Sequence, residues 1–129
     1  MEEELRRVLQ VHSLPCGAVI TAGGAAVARV GDFEALGSAG LVSALLGPEG
    51  SPAATLARLD DQALPELWED DGAFAVVDKL APEVAVVVFG RGRGGWVERM
   101  RLAQAVGRAI REAFGEGRPN KPLQQTGPA

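Results

Sequence analysis

The stretch of the chain that most constrains its fold is residues 83–114. An apolar run from Val84 to Phe89 is followed by a loop of glycines and arginines, and then by an amphipathic pattern from Trp96 to Phe114. A strand without polar alternation is typical of a position where both faces of a sheet are covered. The stretch therefore predicts a central strand that leads into a long covering helix, whose apolar face consists of Trp96, Met100, Ala103, Val106, Ile110 and Phe114.

The loop between this strand and this helix contains a nucleotide-binding pattern. Gly90, Gly92 and Gly95 satisfy G-x-G-x-x-G. A dinucleotide site also needs the helix to return to a second parallel strand, with an acidic residue about 20 positions further on. Here the helix is followed by residues 116–129, which are rich in proline, glycine and glutamine. We therefore interpret the glycines as a turn from sheet to helix and expect no cofactor.

A narrower hypothesis keeps a binding role for this loop. Arg91 and Arg93 lie close to the backbone amides that begin the last helix, and helix N-termini attract anions. The two arginines, with Trp96, are candidate contacts to an anion or to the acidic group of a partner protein. The alternative function that follows is a sensing or signalling module for a small anionic ligand.

Earlier parts of the chain alternate between helical and strand patterns. The strand that begins at Leu64 contains Pro65, and a proline without an amide donor is expected at a sheet edge. Asp32 is a candidate N-cap for the helix that follows it. The predicted elements are helix Glu2–His12, strands Gly17–Ala22 and Ala25–Val30 around a Gly23-Gly24 turn, helix Phe33–Leu46, a short helical piece Ala53–Leu59, and strands Leu64–Glu69 and Ala73–Leu80.

Charge is distributed unevenly along the chain. Residues 1–90 carry five basic and fourteen acidic side chains, whereas residues 91–129 carry eight basic and three acidic ones. A basic face could bind nucleic acid, but base stacking requires aromatic residues between the cations, and aromatic residues are scarce in this chain. We interpret the arginines as a solvated helix face and expect no nucleic-acid partner.

No pattern of catalytic or metal-binding residues is found. His12 is the only histidine, and Ser13 and Cys16 near it do not form a spacing that defines a nucleophile and its base. The six carboxylates between Asp60 and Asp71 do not match a calcium loop. We therefore expect no catalytic residue, no metal site and no enzyme activity; a hydrolase using these three residues is the weakest alternative.

Composition indicates one domain. With 47% hydrophobic residues, 129 residues are enough to bury a core without metals or disulfides. We expect a domain over residues 1–115 and a disordered tail over residues 116–129. The N-terminus is acidic and lacks a signal-peptide pattern, the longest apolar run is too short for a bilayer, and a single cysteine fits a reducing compartment. A cytoplasmic protein without a membrane partner is expected.

The helix predicted over Phe33–Leu46 is unusually rich in small residues. Its sequence includes Gly37, Ser38, Ala39, Gly40, Ser43 and Ala44. Two glycines inside a helix cost roughly 1 kcal/mol each relative to alanine, so close packing is expected to compensate. The helix could pack against its own sheet or against the same helix of a second subunit.

Several glycine-containing segments occur in a characteristic order. Gly17-Ala-Val-Ile is followed by Gly24-Ala-Ala-Val-Ala and Gly31-Asp32, and the last strand runs through the glycine-arginine loop into a long helix. Over about residues 3–114, this order resembles the Roadblock/LC7 family and the related profilin- and longin-like folds. The resemblance implies an α+β fold of order α-β-β-α-β-β-β-α, with a five-stranded antiparallel sheet and helices on both faces.

The same resemblance implies a function. Family members are non-enzymatic dimers that regulate or scaffold small Ras-like GTPases and other NTPases, and bacterial relatives act on partners that control polarity or motility. Their dimers pack the second helices together and join edge strands. A homodimer is therefore expected, and a heterodimer is left open. The sequence departs from the family pattern at two places that bear on the dimer. Pro65 removes an amide donor from the edge strand that would pair, and residues 47–52 interrupt the second helix. By position, the expected interface is Leu36, Ala39, Gly40, Ser43 and Leu67.

Overall fold

The structure, a computed structural model, describes residues 2–21, 26–46, 65–70, 72–81, 83–92 and 94–115. Several of the predictions above concern residues outside these ranges. They are the Gly23-Gly24 turn, the interruption over residues 47–52, the helical piece over residues 53–59, Arg93 and the tail over residues 116–129.

Nine elements are described, in nearly the predicted order. The first helix has the predicted bounds, and the last helix extends one residue beyond them. The elements are α1 (Glu2–His12), β1 (Cys16–Thr21), β2 (Ala26–Gly31), α2 (Phe33–Leu36), α3 (Ala39–Leu46), β3 (Glu66–Asp70), β4 (Ala73–Ala81), β5 (Val84–Arg91) and α4 (Trp96–Gly115).

The strands form one antiparallel sheet of five, in the order β2-β1-β5-β4-β3. The strand from the apolar run, β5, is in the middle, where it pairs with β1 on one side and with β4 on the other. The predicted five-stranded antiparallel sheet is therefore confirmed, as is the central position of its last strand.

Each face of the sheet is covered by its own pair of helices. Val86 and Val88 of β5 belong to a buried cluster with side chains of α1 and α4, whereas Val87 and Phe89 belong to a second cluster with side chains of α2 and α3. Both faces of β5 are apolar because both are covered, which explains the absence of alternation. The predicted helices on both faces are confirmed. No helix within the described residues is long and apolar enough to span a membrane.

The predicted helix over residues 33–46 is two helices. Asp32 caps α2 as expected, because its carboxylate accepts hydrogen bonds from the amides of Glu34 (3.0 Å) and Ala35 (3.1 Å). Gly37 then adopts a left-handed conformation (φ 71°), and its amide donates to the carbonyl of Glu34 at 3.1 Å. This glycine C-cap ends α2 after one turn, and α3 begins at Ala39.

The prediction that placed Pro65 inside the edge strand is wrong. The strand β3 begins at Glu66, and Pro65 precedes it in a bend, so the proline removes no amide donor from the strand. Pro65 instead lies against α4: a Cβ added at Gly107 would be 3.0 Å from its Cγ. Pro65 is therefore not an argument against pairing through the edge of this strand. The strand does lie at an edge of the sheet, as predicted.

Candidate functional site

The outer surface of α2 and α3 forms an open groove of about 470 Å³. Ala39 and Gly40 are exposed and Ser43 is half-buried, so small side chains bring the α3 backbone close to the surface. We call this surface the α3 groove. It is lined by Phe33, Glu34, Gly37, Ser38, Ala39, Val42 and Ser43.

The inner side of the same helices is fixed to the sheet by leucines. Leu36, Leu41 and Leu45 are buried in the cluster beneath the groove. Leu36 has no exposed surface, so a second subunit could not contact its side chain. Including Leu36 among the expected interface residues was therefore wrong; its side chain anchors α2.

The edge strand β3 lies beside the α3 groove. Among the described residues, β3 pairs only with β4, which makes it an edge strand of the described sheet. Gly40 of α3 approaches this strand closely, because a Cβ there would be 3.3 Å from Oδ2 of Asp70. The α3 helix and the β3 strand therefore lie side by side.

Within β3, Trp68 and not Leu67 faces the side of α3. Trp68 packs against the cluster beneath α2 and α3, and its Nε1 donates to Oε1 of Glu66 at 3.1 Å. Leu67 packs against the opposite cluster, together with α1 and α4. Trp68 is the residue that sequence reasoning missed. Strand alternation separates it from Leu67, but only the register with β4 shows which of the two lies on the α3 side.

Arg91 joins the groove to the end of the central strand. Its guanidinium donates from Nε to the carbonyl of Leu36, and from Nη2 to the carbonyl of Gly37 at 3.1 Å. The predicted role of Arg91 as a contact to an anion or a partner remains a prediction. Within the chain, its guanidinium holds the C-terminal end of α2.

The glycine loop after β5 is tied to the turn between β3 and β4. The amide of Gly92 donates to the carbonyl of Gly72 at 3.0 Å, and Nε of Arg99 donates to the carbonyl of Gly92 at 3.1 Å. Arg99 also forms an ion pair with Glu69 of β3. The loop therefore has a packing role that needs no bound nucleotide.

The start of α4 is capped from within the chain. The amide of Gly95 donates to Oε1 of Glu98 at 3.0 Å, which is the half of a capping box in which the N3 carboxylate reaches back to the N-cap. The carboxylate of Glu98 therefore already accepts a hydrogen bond from one of the amides that were proposed to bind an anion. Because Arg91 is also bonded within the chain, we do not propose the anion-sensing function.

Trp96 lies outside the core. Its side chain is 65% exposed, and the next residue, Val97, is 52% exposed. The apolar stripe of α4 is half-buried at Met100 and buried from Ala103 onward. The prediction that Trp96 belongs to the core face is therefore wrong, whereas its exposure is compatible with the predicted contact to a partner.

The single cysteine is not a candidate nucleophile. Burial, and to a smaller extent the nearby Asp32, raise the pKa of the Cys16 thiol to about 12, while Arg29 opposes the shift. The thiolate is the nucleophilic form, so this thiol is unreactive at neutral pH. Among the described residues, no group of three or more His, Cys, Asp or Glu side chains could hold a metal ion.

Asp78 is the buried charged residue of the described chain, with 1% of its surface exposed. It faces α4, where Oδ2 lies 3.3 Å from Nη2 of Arg111, and Oδ1 accepts a hydrogen bond from the amide of Lys79 at 2.9 Å. Burial raises the pKa of Asp78, although Arg111 and the Lys79 amide lower it.

The raised pKa of Asp78 predicts an unusual dependence of stability on pH. The folded state keeps this proton at a higher pH than the unfolded state, so ionisation of Asp78 lowers the free energy of unfolding as pH rises above about 4. Asp78→Asn should remove this contribution, and its stability relative to the parent chain should increase from about pH 4 toward neutrality. Urea titrations of both proteins across that range measure the difference. A constant difference would contradict the prediction.

Comparison with known proteins identifies the architecture. No family model and no curated protein sequence matches the chain. Among solved structures, MglB of Myxococcus xanthus aligns with a TM-score of 0.57 and 14% identity, over 89% of this chain and 87% of that one. MglB is a Roadblock/LC7-family protein. The chain has the Roadblock/LC7 fold.

Two further MglB structures give lower scores. The gliding protein MglB of Thermus thermophilus aligns with a TM-score of 0.49 and 15% identity, over 89% of this chain and 88% of that one. An MglB with a tetrameric arrangement aligns with a TM-score of 0.45 and 17% identity, over 86% of this chain and 88% of that one. The resemblance to the Roadblock/LC7 fold seen in the sequence is confirmed by the first of the three.

Three of the five expected interface residues remain candidates on the Roadblock/LC7 fold. Ala39, Gly40 and Ser43 lie on α3 at the surface formed with the β3 edge. Leu67 lies on the opposite face of the sheet, outside the surface on which these three residues lie. No dimer contact is described, and the interface remains a proposal.

Proposed function

We propose that this protein is a non-enzymatic homodimeric regulator or scaffold of a small Ras-like GTPase or a related NTPase. The fold, which is similar to that of MglB, supports this class of function. The observation that carries the proposal is the α3 groove, whose exposed small residues lie on a helix beside the edge strand β3.

This surface has the properties of an interface between two copies. A two-fold axis would bring the same patch of each subunit together, so a helix with small exposed residues can pack closely against its symmetry mate. An edge strand can also pair with the equivalent strand of a second copy. Both elements lie side by side here, and Pro65 does not interrupt the edge.

The dimer predicts a specific response to charge in the groove. Ala39→Glu combined with Ser43→Glu should convert the dimer into a monomer at tens of micromolar, because the substitutions bring carboxylates of both subunits together in an apolar contact. Analytical ultracentrifugation measures the change. Gln10→Glu, at an exposed position of α1, is the control and should leave the dimer intact. A parent chain that sediments as a monomer would contradict the homodimer.

The regulatory part of the proposal is tested separately. Affinity capture with the full chain from its native lysate, followed by mass spectrometry, should recover a Ras-like GTPase or another NTPase. The Ala39→Glu, Ser43→Glu variant separates binding by the dimer from binding by the monomer. Recovery of no NTPase by the parent chain would contradict the regulatory function while leaving the dimer in place.

We expect any stimulation of GTP hydrolysis to proceed without an arginine finger from Arg91. An arginine finger must reach the phosphates of the nucleotide, and the guanidinium of Arg91 instead donates to two backbone carbonyls.

A further inference from the structure

A second surface lies on the opposite side of the sheet from the α3 groove. The exposed side of α4 carries Val97, Arg101, Gln104, Arg108 and Arg111, which recur at helical spacing and form one stripe. We call it the α4 stripe. It is roughly 20 Å long at the rise of an α-helix.

The stripe is basic, and its charges are available. Arg101 and Arg108 are exposed and form no ion pair with any residue that the structure describes. Arg111 pairs with Asp78 through one nitrogen, yet its side chain remains 58% exposed. The basic residues of the stripe are all arginine, whose planar guanidinium can bind a carboxylate through two parallel hydrogen bonds.

Two apolar side chains are exposed at the N-terminal end of α4, one within the stripe (Val97) and one beside it (Trp96). Trp96 and Val97 are two of the three large apolar side chains that are exposed in the described chain. Tryptophan and arginine are the residue types that most often dominate the energy of protein interfaces. The combination of an apolar end with three arginines differs from an ordinary solvated helix face.

We propose that the α4 stripe docks an acidic, amphipathic segment of a partner protein. Carboxylates of that segment pair with Arg101 and Arg108, and its apolar end packs against Trp96 and Val97. This interaction requires neither the proposed dimer nor the proposed NTPase, because the stripe and the α3 groove lie on opposite faces of the sheet.

The chemistry of the stripe favours a protein over other anionic partners. A helix that lies on an anionic membrane presents apolar residues along its length, whereas here they occur only at one end. Single-stranded nucleic acid needs aromatic side chains between the cations, and none is exposed along the stripe beyond Trp96.

The test uses the full chain and a synthetic probe. The probe is a fluorescein-labelled amphipathic peptide with glutamates at helical spacing on one face and a phenylalanine at one end. Fluorescence anisotropy should detect binding that weakens with salt. A peptide with glutamine in place of each glutamate should bind about tenfold more weakly or not at all.

Matched variants locate the binding site. Arg101→Glu with Arg108→Glu should weaken binding about tenfold or more, and Trp96→Ala about tenfold. Arg6→Glu, at an exposed position of α1, is the charge control and should change affinity by less than about twofold. Arg111 is left unchanged because it also pairs with Asp78. Thermal melts should show that all variants fold like the parent chain.

Three outcomes would overturn the proposal. One is the absence of binding to the glutamate peptide by the parent chain. Another is equal binding by the parent chain and the Arg101→Glu, Arg108→Glu variant. The third is cosedimentation of the parent chain with vesicles of phosphatidylcholine and phosphatidylserine without binding to the peptide, which would assign the stripe to a membrane surface.

Discussion

Replacing Arg111 with methionine should lower the free energy of unfolding by about 2 kcal/mol at neutral pH. Arg111 is the only cation within ion-pair distance of Asp78 in the described chain, and Asp78 is buried. Removing one partner of a buried pair leaves the other charge without compensation, which typically costs about 3–5 kcal/mol. The smaller value applies here because Arg111 is itself more than half exposed.

A second substitution identifies the cause of this loss. Asp78→Asn removes the charge and keeps an oxygen that can accept from the amide of Lys79. The Asp78→Asn, Arg111→Met protein should therefore recover most of the stability that Arg111→Met loses. Arg108→Met, at an exposed position one turn earlier on α4, is the control and should stay within about 0.5 kcal/mol of the parent chain. Urea unfolding at neutral pH measures all of these proteins, and a double variant no more stable than Arg111→Met would rule out the uncompensated charge.

Gly90→Ala should destabilise the chain by about 2 kcal/mol, because the strand passes too close to the core at this position. A Cβ at Gly90 would lie 2.6 Å from Cζ of Phe74, its register partner on β4, and 2.9 Å from Cδ2 of Leu14. Both side chains are buried and have little room to move. The first glycine of the apparent nucleotide motif therefore serves the packing of an aromatic ring.

The cause is tested by reducing the size of the ring. Phe74→Leu alone removes buried surface and should cost roughly 1–2 kcal/mol, yet in the Gly90→Ala background it should cost less, because it relieves the overlap. Gly92→Ala is the comparison within the motif. Gly92 has φ 73° and nothing within 4 Å of an added Cβ, so its alanine should cost about 1 kcal/mol through the backbone alone, with no rescue by Phe74→Leu. Additive effects of Gly90→Ala and Phe74→Leu would contradict the overlap.

The sequence predicted the strand order of the sheet more accurately than it predicted which residues are exposed at the candidate site. The apolar run of β5 required cover on both faces, and this placed the strand in the middle. The break between α2 and α3 was not predictable in the same way. A glycine can continue a helix at a modest cost or end it in the left-handed conformation, and Gly37 does the second.

The wrong predictions for Leu36 and Trp96 arise from the break between α2 and α3 and from the exposed start of α4. Leu36 and Gly40 share a face only on a continuous helix; because the chain turns at Gly37, Leu36 is directed into the core. Helical periodicity included Trp96 in the apolar stripe, but periodicity does not show where the covered part of the helix begins. The pairing of Asp78 with Arg111 joins residues distant in sequence, so no local pattern could predict it.

The central position of β5 has a consequence for synthesis of the chain. β1 ends at Thr21, yet one of its two partners is β5, whose first residue is Val84. While the ribosome synthesises the intervening residues, the edge of β1 that pairs with β5 lacks this partner. The apolar face of α1 likewise lacks its contacts with α4, which is complete only at Gly115. Contacts between such distant segments slow folding. A nascent chain that stops before β5 therefore contains four of the five strands and lacks the one that joins β1 and β2 to β3 and β4.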